Sequence, residues 1–298
     1  MEFDCGSPIG KGPLGITYHA TEREGGREVA YKLVPCVDEP TGQMREIIEE
    51  SIFFRPEVHP RIAGCILTRF DQATGSYLVV SEYYPQTLHD LILEHQKNHE
   101  PFSEDAIWQV IAYLADATSF LHSRIPKEAC DCNFNPITVR SLIHGNIKPS
   151  NVMITKSGSL RLADNRIRQP AISYREKCGD MTLHCYRAPE MYDRDGTWTE
   201  AVDTWSIGCI AYHMACLRPP FLFAMLDQVL SAQKKGTFAP IPKNYSQELR
   251  TLISRMLSTV PSHRPTTAEL CILPEVSPLI PYSPSRSPRP GRRGCPLR

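Results

Sequence analysis

A change of texture at Tyr84-Pro85 limits the fold of this chain more than any other feature. Before it, short stretches rich in β-branched and aromatic residues alternate with glycine-containing breaks. After it, apolar residues recur at helical spacing. Extended stretches are expected around 15–21 and 27–34, on either side of Gly25-Gly26, and again over 63–70 and 76–82. The last two are joined by the turn-like cluster Asp71-Gln72-Ala73-Thr74-Gly75. A helix is expected between the two pairs, over 43–54, with Ile47, Ile48, Ile52 and Phe54 on its apolar positions. Beyond Pro85, helices are expected over 87–95, 103–123, 200–214, 247–257 and 267–270. The second opens on the N-cap signature Ser103-Glu104-Asp105. The third is apolar over most of its surface, which marks a buried helix. Strands first and helices later give an α+β class.

The 298 residues carry 33 Lys and Arg against 33 Asp and Glu, a balance that excludes a generic nucleic-acid or membrane-surface binder. A hydrophobic share of 41% excludes global disorder. There is no apolar run of about 18 residues, so no membrane span is expected. The opening MEFDCGSPIG carries no apolar stretch of the secretory kind. The eleven cysteines therefore read as reduced thiols in a cytoplasmic protein. Seven of the 26 prolines lie after Leu273, with five Arg, no Lys and one acid. Residues 274–298 are expected to be a disordered basic tail, a candidate phosphorylation or docking segment or a passive solubilising one. Its net charge of +4 leaves −4 on residues 1–273, since the whole chain sums to zero.

Chemistry enters with Gly10, Gly12 and Gly15, a G-x-G-x-x-G set between two extended segments. A glycine-rich strand–turn–strand can bring backbone N–H groups close to phosphates because no side chain intervenes. Val29-Ala30-Tyr31-Lys32 follows, and Glu50 lies eighteen residues beyond Lys32 on the expected helix. This arrangement resembles a protein kinase: glycine loop, Ala-x-Lys strand and partner Glu. The resemblance implies that Lys32 grips nucleotide phosphates and that Glu50 orients it, or Glu49 if the helix register differs by one. The strand ending Val80-Ser81-Glu82-Tyr83 resembles the passage into the hinge, with Ser81 as a small gatekeeper. Ile143-His144-Gly145-Asn146-Ile147-Lys148-Pro149-Ser150-Asn151 resembles the catalytic loop, and Asp164-Asn165-Arg166 falls where D-F-G belongs. Arg187-Ala188-Pro189-Glu190, Asp203-Thr204-Trp205-Ser206-Ile207-Gly208-Cys209 and His263-Arg264-Pro265-Thr266 complete the ordered series. In the family the Arg of the last motif pairs with the Glu of the first, here Arg264 with Glu190.

The resemblance spans about residues 5–273 and implies a bilobal fold. A small antiparallel sheet and one helix would form the N-lobe, about 1–83, and a larger, mainly helical C-lobe would cover about 84–273. It also implies ATP and Mg²⁺ as cofactors. Gly10, Gly12, Gly15, Lys32, Glu50, Ala30, Ser81, Glu82, Tyr83 and Met153 would surround the nucleotide. Asn151 and Asp164 would hold the metal, and Lys148 would contact the transferring phosphate. Thr17 stands at a position of the adenine stack that the family fills with Val.

The departures concern catalysis. Asn146 occupies the position of the catalytic Asp, and an amide cannot accept the substrate proton. Gly145 replaces the Arg that senses activation-segment phosphate, and Asn165-Arg166 replaces Phe-Gly. Three functions are weighed: a nucleotide-binding pseudokinase acting as scaffold or allosteric regulator, an active serine/threonine kinase with an unconventional site, and a small-molecule phosphotransferase of related fold. Ala188-Pro189-Glu190, Asp203-Thr204-Trp205-Ser206-Ile207-Gly208 and Arg264 disfavour the third. The compact N-lobe, Lys148 and the His-Arg-Pro-Thr ending resemble NIMA-related kinases, which would imply a cytoskeletal or cell-cycle role. A cyclin-dependent-like pattern competes with that placement. Tyr174, Thr182 and Tyr186 are candidate phosphorylation positions. The insertion 124–141, with Cys130-Asp131-Cys132, reads as a surface loop or a partner-docking loop. The partners expected are nucleotide and an unidentified protein.

Overall fold

The computed structural model describes residues 2–12, 15–35, 59–71, 75–123, 142–163, 184–193 and 199–280. The expected helix over 43–54, Glu49, Glu50, Asp164, Asn165, Arg166, Tyr174, Thr182 and the 124–141 insertion lie outside the described residues.

Five strands form the first layer: β1 (Phe3–Gly12), β2 (Gly15–Glu22), β3 (Glu28–Pro35), β4 (Cys65–Asp71) and β5 (Ser76–Glu82). Their order is β1-β2-β3-β5-β4, all antiparallel neighbours. Gly26, at φ +65°, lets the chain reverse between β2 and β3. Its N–H donates to the Glu22 carbonyl at 2.8 Å. One face buries Ala20, Val29, Leu78 and Val80, with Phe3, Tyr31, Ile66 and Leu67 packed against them. Side chains alternate across a strand, so Ala30, Lys32, Val79 and Ser81 belong to the opposite face.

The helical part contains α1 (Leu88–Asn98), α2 (Glu104–His122), α3 (Ala201–Cys216), α4 (Leu226–Lys235), α5 (Gln247–Met256) and α6 (Thr267–Ile272). A capping box between Thr87 and Asp90 starts α1, and Ser103 caps α2 through the Ala106 N–H. Every residue of α3 from Val202 to Ala215 is buried, as expected of a helix apolar over most of its surface. Gly208 lets α3 approach α5: a Cβ there would sit 2.8 Å from the Met256 Cβ. Trp205 stacks on Phe221 with ring centroids 5.3 Å apart. A small sheet, β6 (Gln86–Thr87), β7 (Val152–Ile154) and β8 (Leu160–Leu162), lies between the large sheet and the helices. The two parts meet where Leu162 donates to the Arg61 carbonyl at 2.7 Å and accepts from Ala63 at 2.8 Å.

One expectation needs correction. Disorder from 274 onward starts too early, because the apolar residues of 274–280 find a core to cover. Val276 is fully buried, Ser277–Leu279 form a 3-10 turn, and Leu279 and Ile280 pack on the helical core. Residues 281–298 lie outside the described residues. Among the described residues, no helix is long and apolar enough to cross a membrane.

Candidate functional site

The glycine set closes the first hairpin. Gly12 pairs with Gly15 at its tip, and Gly10 pairs with Thr17 further down. A Cβ built on Gly10 meets nothing within 4 Å, so packing inside the fold gives no reason for glycine there. Space is left over this strand for a ligand, as a phosphate cradle requires. Thr17, Lys32 and Val79 are cross-strand partners in one row of the sheet, and His19, Ala30 and Ser81 form the next row. Directly paired residues share a face. The sheet therefore places the Lys32 ammonium, the small Ala30 and the small Ser81 on one half-buried surface, below the glycine hairpin. Tyr83 leaves β5 and packs against His19, with ring centroids 4.3 Å apart and the planes tilted by 42°. Glu82 accepts hydrogen bonds from the Tyr84 hydroxyl at 2.8 Å and from Arg27 at 3.3 Å. Burial is the main cause that raises the Tyr84 phenol pKa well above its ordinary value, with Glu82 adding to it.

The loop over 143–151 is assembled by a buried carboxylate. Asp203, at the start of α3, accepts from the His144 N–H at 2.9 Å and the Gly145 N–H at 2.8 Å. His122, at the end of α2, reaches it through Nε2 at 2.8 Å and is held from behind by Thr267 Oγ1 at 3.0 Å. Full burial by itself would raise the Asp203 pKa, but the His122 contact and the backbone donors outweigh it and the pKa is lowered. Gly145 has φ +67°, a conformation in which a side chain would be strained. The Asn146 N–H donates to His144 Nδ1 at 3.2 Å, which fixes that nitrogen as the acceptor. His144 Nε2 is then the protonated nitrogen and donates to the Ala163 carbonyl at 3.1 Å, one residue before Asp164.

Asn151 sits 8% exposed in the turn that follows. Its Nδ2 donates to the Asn146 carbonyl at 2.8 Å, and its own carbonyl accepts from Ala163. The amide nitrogen is thereby committed to the loop, and the amide oxygen is the atom chemically suited to a hard cation. Asn146 and Lys148 lie half-buried in the same loop, and Met153 lies half-buried on β7. The described residues thus fit a nucleotide and one of the two expected metal positions. Asp164, the other, lies outside them. Among the described residues no three His, Cys, Asp or Glu side chains gather to hold a metal by themselves.

The segment 184–190 is pinned from three sides. Arg264 makes a forked pair with Glu190 at 2.6 and 2.9 Å, as the resemblance implies. Gln233 on α4 donates to the His184 and Arg187 carbonyls at 2.8 and 3.1 Å. The Tyr186 hydroxyl meets His213 Nδ1 at 2.6 Å, and its phenol is 6% exposed. Tyr186 is therefore not an available phosphorylation position in this conformation, contrary to its reading as a candidate.

The sequence profile of the protein kinase domain matches residues 3–274. The chain belongs to the protein kinase family. Its curated relatives include a probable serine/threonine-protein kinase nek2 of Dictyostelium discoideum, 23% identical over 90% of this chain and 61% of that protein. A G2-specific protein kinase nimA of Emericella nidulans is 24% identical over 92% of this chain and 41% of that protein. An Aurora kinase A-A of Xenopus laevis is 30% identical over 88% and 59%. The kinase domain thus has NIMA-related serine/threonine kinases among its homologues, and it spans about three fifths or less of the length of these relatives. Sequence motifs located Asp203, His144 and Asn151 but not the way they are joined. His122 and Thr267 were missed, because a helix-terminal His and an N-terminal Thr carry no signal until the helices pack.

Proposed function

We propose that this kinase domain binds ATP, with Mg²⁺ held at Asn151 and Asp164, and transfers phosphate weakly or not at all, acting on a protein partner through its conformation. The observation that carries the proposal is a fully braced catalytic loop with an amide at the proton-accepting position. Asp203, His122, His144 and Asn151 hold the loop backbone, and Asn146 stands where the family has Asp. A general base contributes about 10²–10⁴ in rate, so its loss slows transfer while leaving binding intact. In this reading Lys32 grips the phosphates, Glu50 orients it, Lys148 faces the γ-phosphate, and Ala30, Ser81, Glu82, Tyr83 and Met153 surround the base.

Phosphoryl transfer depends largely on positioning and electrostatics, so the second reading is an active serine/threonine kinase. Lys32 on β3 and Asn151 in the braced loop favour it. The placement of the protein in the cytoplasm, with cytoskeletal association, belongs to the same proposal and rests on the NIMA-related homologues. Thermal shift with ATP and Mg²⁺ tests the binding step. The melting temperature rises with nucleotide in the wild-type chain and not in Lys32→Met. A chain whose melting temperature does not respond to nucleotide leaves a scaffold without a ligand and defeats the proposal.

A further inference from the structure

Away from the nucleotide site, the C-terminal end of α4 and the length of α5 border an open groove of about 920 Å³. Its floor is apolar, with Phe238, Ile241 and Leu257, and its walls carry Lys235, Arg250 and Arg255. Among the described residues no acidic side chain lines it. None of the three cations makes an ion pair within 4.0 Å among the described residues, although Arg255 also borders a smaller groove with Glu248 and Glu275. Lys234, one residue before Lys235, takes Asp193 at 3.4 Å. Arg250 spends its Nε on the Ser246 carbonyl at 3.3 Å. Arg255 feels Glu269, but that carboxylate already accepts from the Thr266 N–H at 2.8 Å in the capping box of α6. Three like charges around an apolar trough repel one another when the trough is empty. An anion lying between them removes that repulsion, and guanidinium groups suit phosphate oxygens in particular.

The groove also touches the machinery that pins the 184–190 segment. Lys235 lies two residues beyond Gln233, which holds the His184 and Arg187 carbonyls. Ser258, on the other wall, accepts Arg264 Nε at 2.8 Å through its carbonyl, and Arg264 holds Glu190. Both walls therefore lead within a residue or two to the segment beside the catalytic loop. The geometry points to a docking site for a peptide bearing phosphoserine or phosphothreonine beside an apolar side chain. The phosphate lies among Lys235, Arg250 and Arg255, and the apolar side chain lies on Phe238 and Leu257. The volume is at the upper end of the range for ligand sites of about 300–1,000 Å³, far more than a lone phosphate ion fills. An occupant that bridges the walls holds α4 and the α5–α6 link together and so steadies residues 184–190.

The test is binding of the labelled full chain to an array of peptides with central phosphoserine and varied flanks, with matched serine peptides beside them. Phosphoserine peptides with an adjacent Leu or Phe bind at least tenfold tighter than their serine counterparts. The double substitution Lys235→Glu with Arg255→Glu, at two exposed positions, lowers that binding at least tenfold while the chain keeps a cooperative melt. Ser254→Glu, which puts a carboxylate into the groove at a third exposed position, does the same and stands in if the double variant fails to fold. A saturating peptide slows amide hydrogen exchange over 184–190. Equal binding of phosphorylated and plain peptides overturns the proposal, as does binding that both variants leave unchanged. Displacement of the peptide by an equal concentration of inorganic phosphate shows a small-anion site instead. Capture of anionic phospholipid vesicles, lost in the same variants while phosphopeptides fail to bind, shows a membrane surface instead.

Discussion

Glu190→Gln should be among the most damaging single changes of shape-preserving kind in this domain. The Arg264 side chain is inaccessible to solvent, and that of Glu190 is 16% accessible. The guanidinium donates to both Glu190 oxygens at 2.6 and 2.9 Å, to the Ser258 carbonyl at 2.8 Å and to the Ala201 carbonyl at 3.0 Å. It also lies 4.7 Å over the Trp205 ring. Replacing the carboxylate by an amide keeps the volume and leaves a buried cation with neutral partners only. Breaking a buried pair in this way costs about 3–5 kcal/mol. A domain of this size loses about 2–4 °C per kcal/mol, so melting should fall by roughly 6–20 °C. Because the pair is buried, the fall should be nearly the same at low and high salt. Arg264→Met should be comparably destabilising. The double variant should be less damaged than the sum of the two, by at least about 2 kcal/mol of coupling. Circular dichroism melts of the four proteins decide the matter. Melting of Glu190→Gln within about 2 °C of wild type, or strict additivity in the double variant, refutes the reasoning.

Two further effects follow from packing and burial. Gly208→Ala should lower melting by up to about 8 °C, because overpacking against Met256 and Leu257, about 1–3 kcal/mol, outweighs the gain of about 1 kcal/mol in helix propensity; a stabilised variant contradicts the close helix approach. Burial raises the Asp116 pKa to about 6, with Arg61 opposing it. The folded state therefore favours the protonated acid, a contribution present below the unfolded value and lost as pH rises through about 6, worth about 1–2 kcal/mol after screening. Asp116→Asn should be more stable than wild type at pH 7.5 and equal to it near pH 4, read as the difference between paired melts. His213 works in the opposite sense. Burial holds it down to about 4, so stability is lost as pH falls from about 6.5 towards 4, and His213→Gln should flatten that part of the profile.

The sequence carried the architecture where local chemistry and global packing agree. Gly25-Gly26 marked the β2–β3 reversal, Ser103 marked the start of α2, and the predominant apolarity of 200–214 marked α3 as buried. Helix α4 went unread, because its residues are mostly polar and it leans on the core through Val229 and Ala232. The short strands β6–β8 went unread because two or three residues give no periodicity to count. In the site, residue types were legible from motif order, and the Arg264–Glu190 pair formed as expected. The bracing of the loop was not legible. It depends on Asp203, His122 and Thr267 meeting from three helices, a relation fixed by tertiary packing and not by spacing along the chain.

The most direct test of the account is phosphate transfer from ATP and Mg²⁺ to a generic serine/threonine substrate, measured for wild type, Lys32→Met and Asn146→Asp from matched preparations. The account predicts that wild type binds nucleotide yet transfers phosphate at or close to the rate of Lys32→Met, and at least about 100-fold below the roughly 1–100 s⁻¹ usual for kinases. Transfer by wild type at about 1–100 s⁻¹, abolished in Lys32→Met and unaltered in Asn146→Asp, would contradict it.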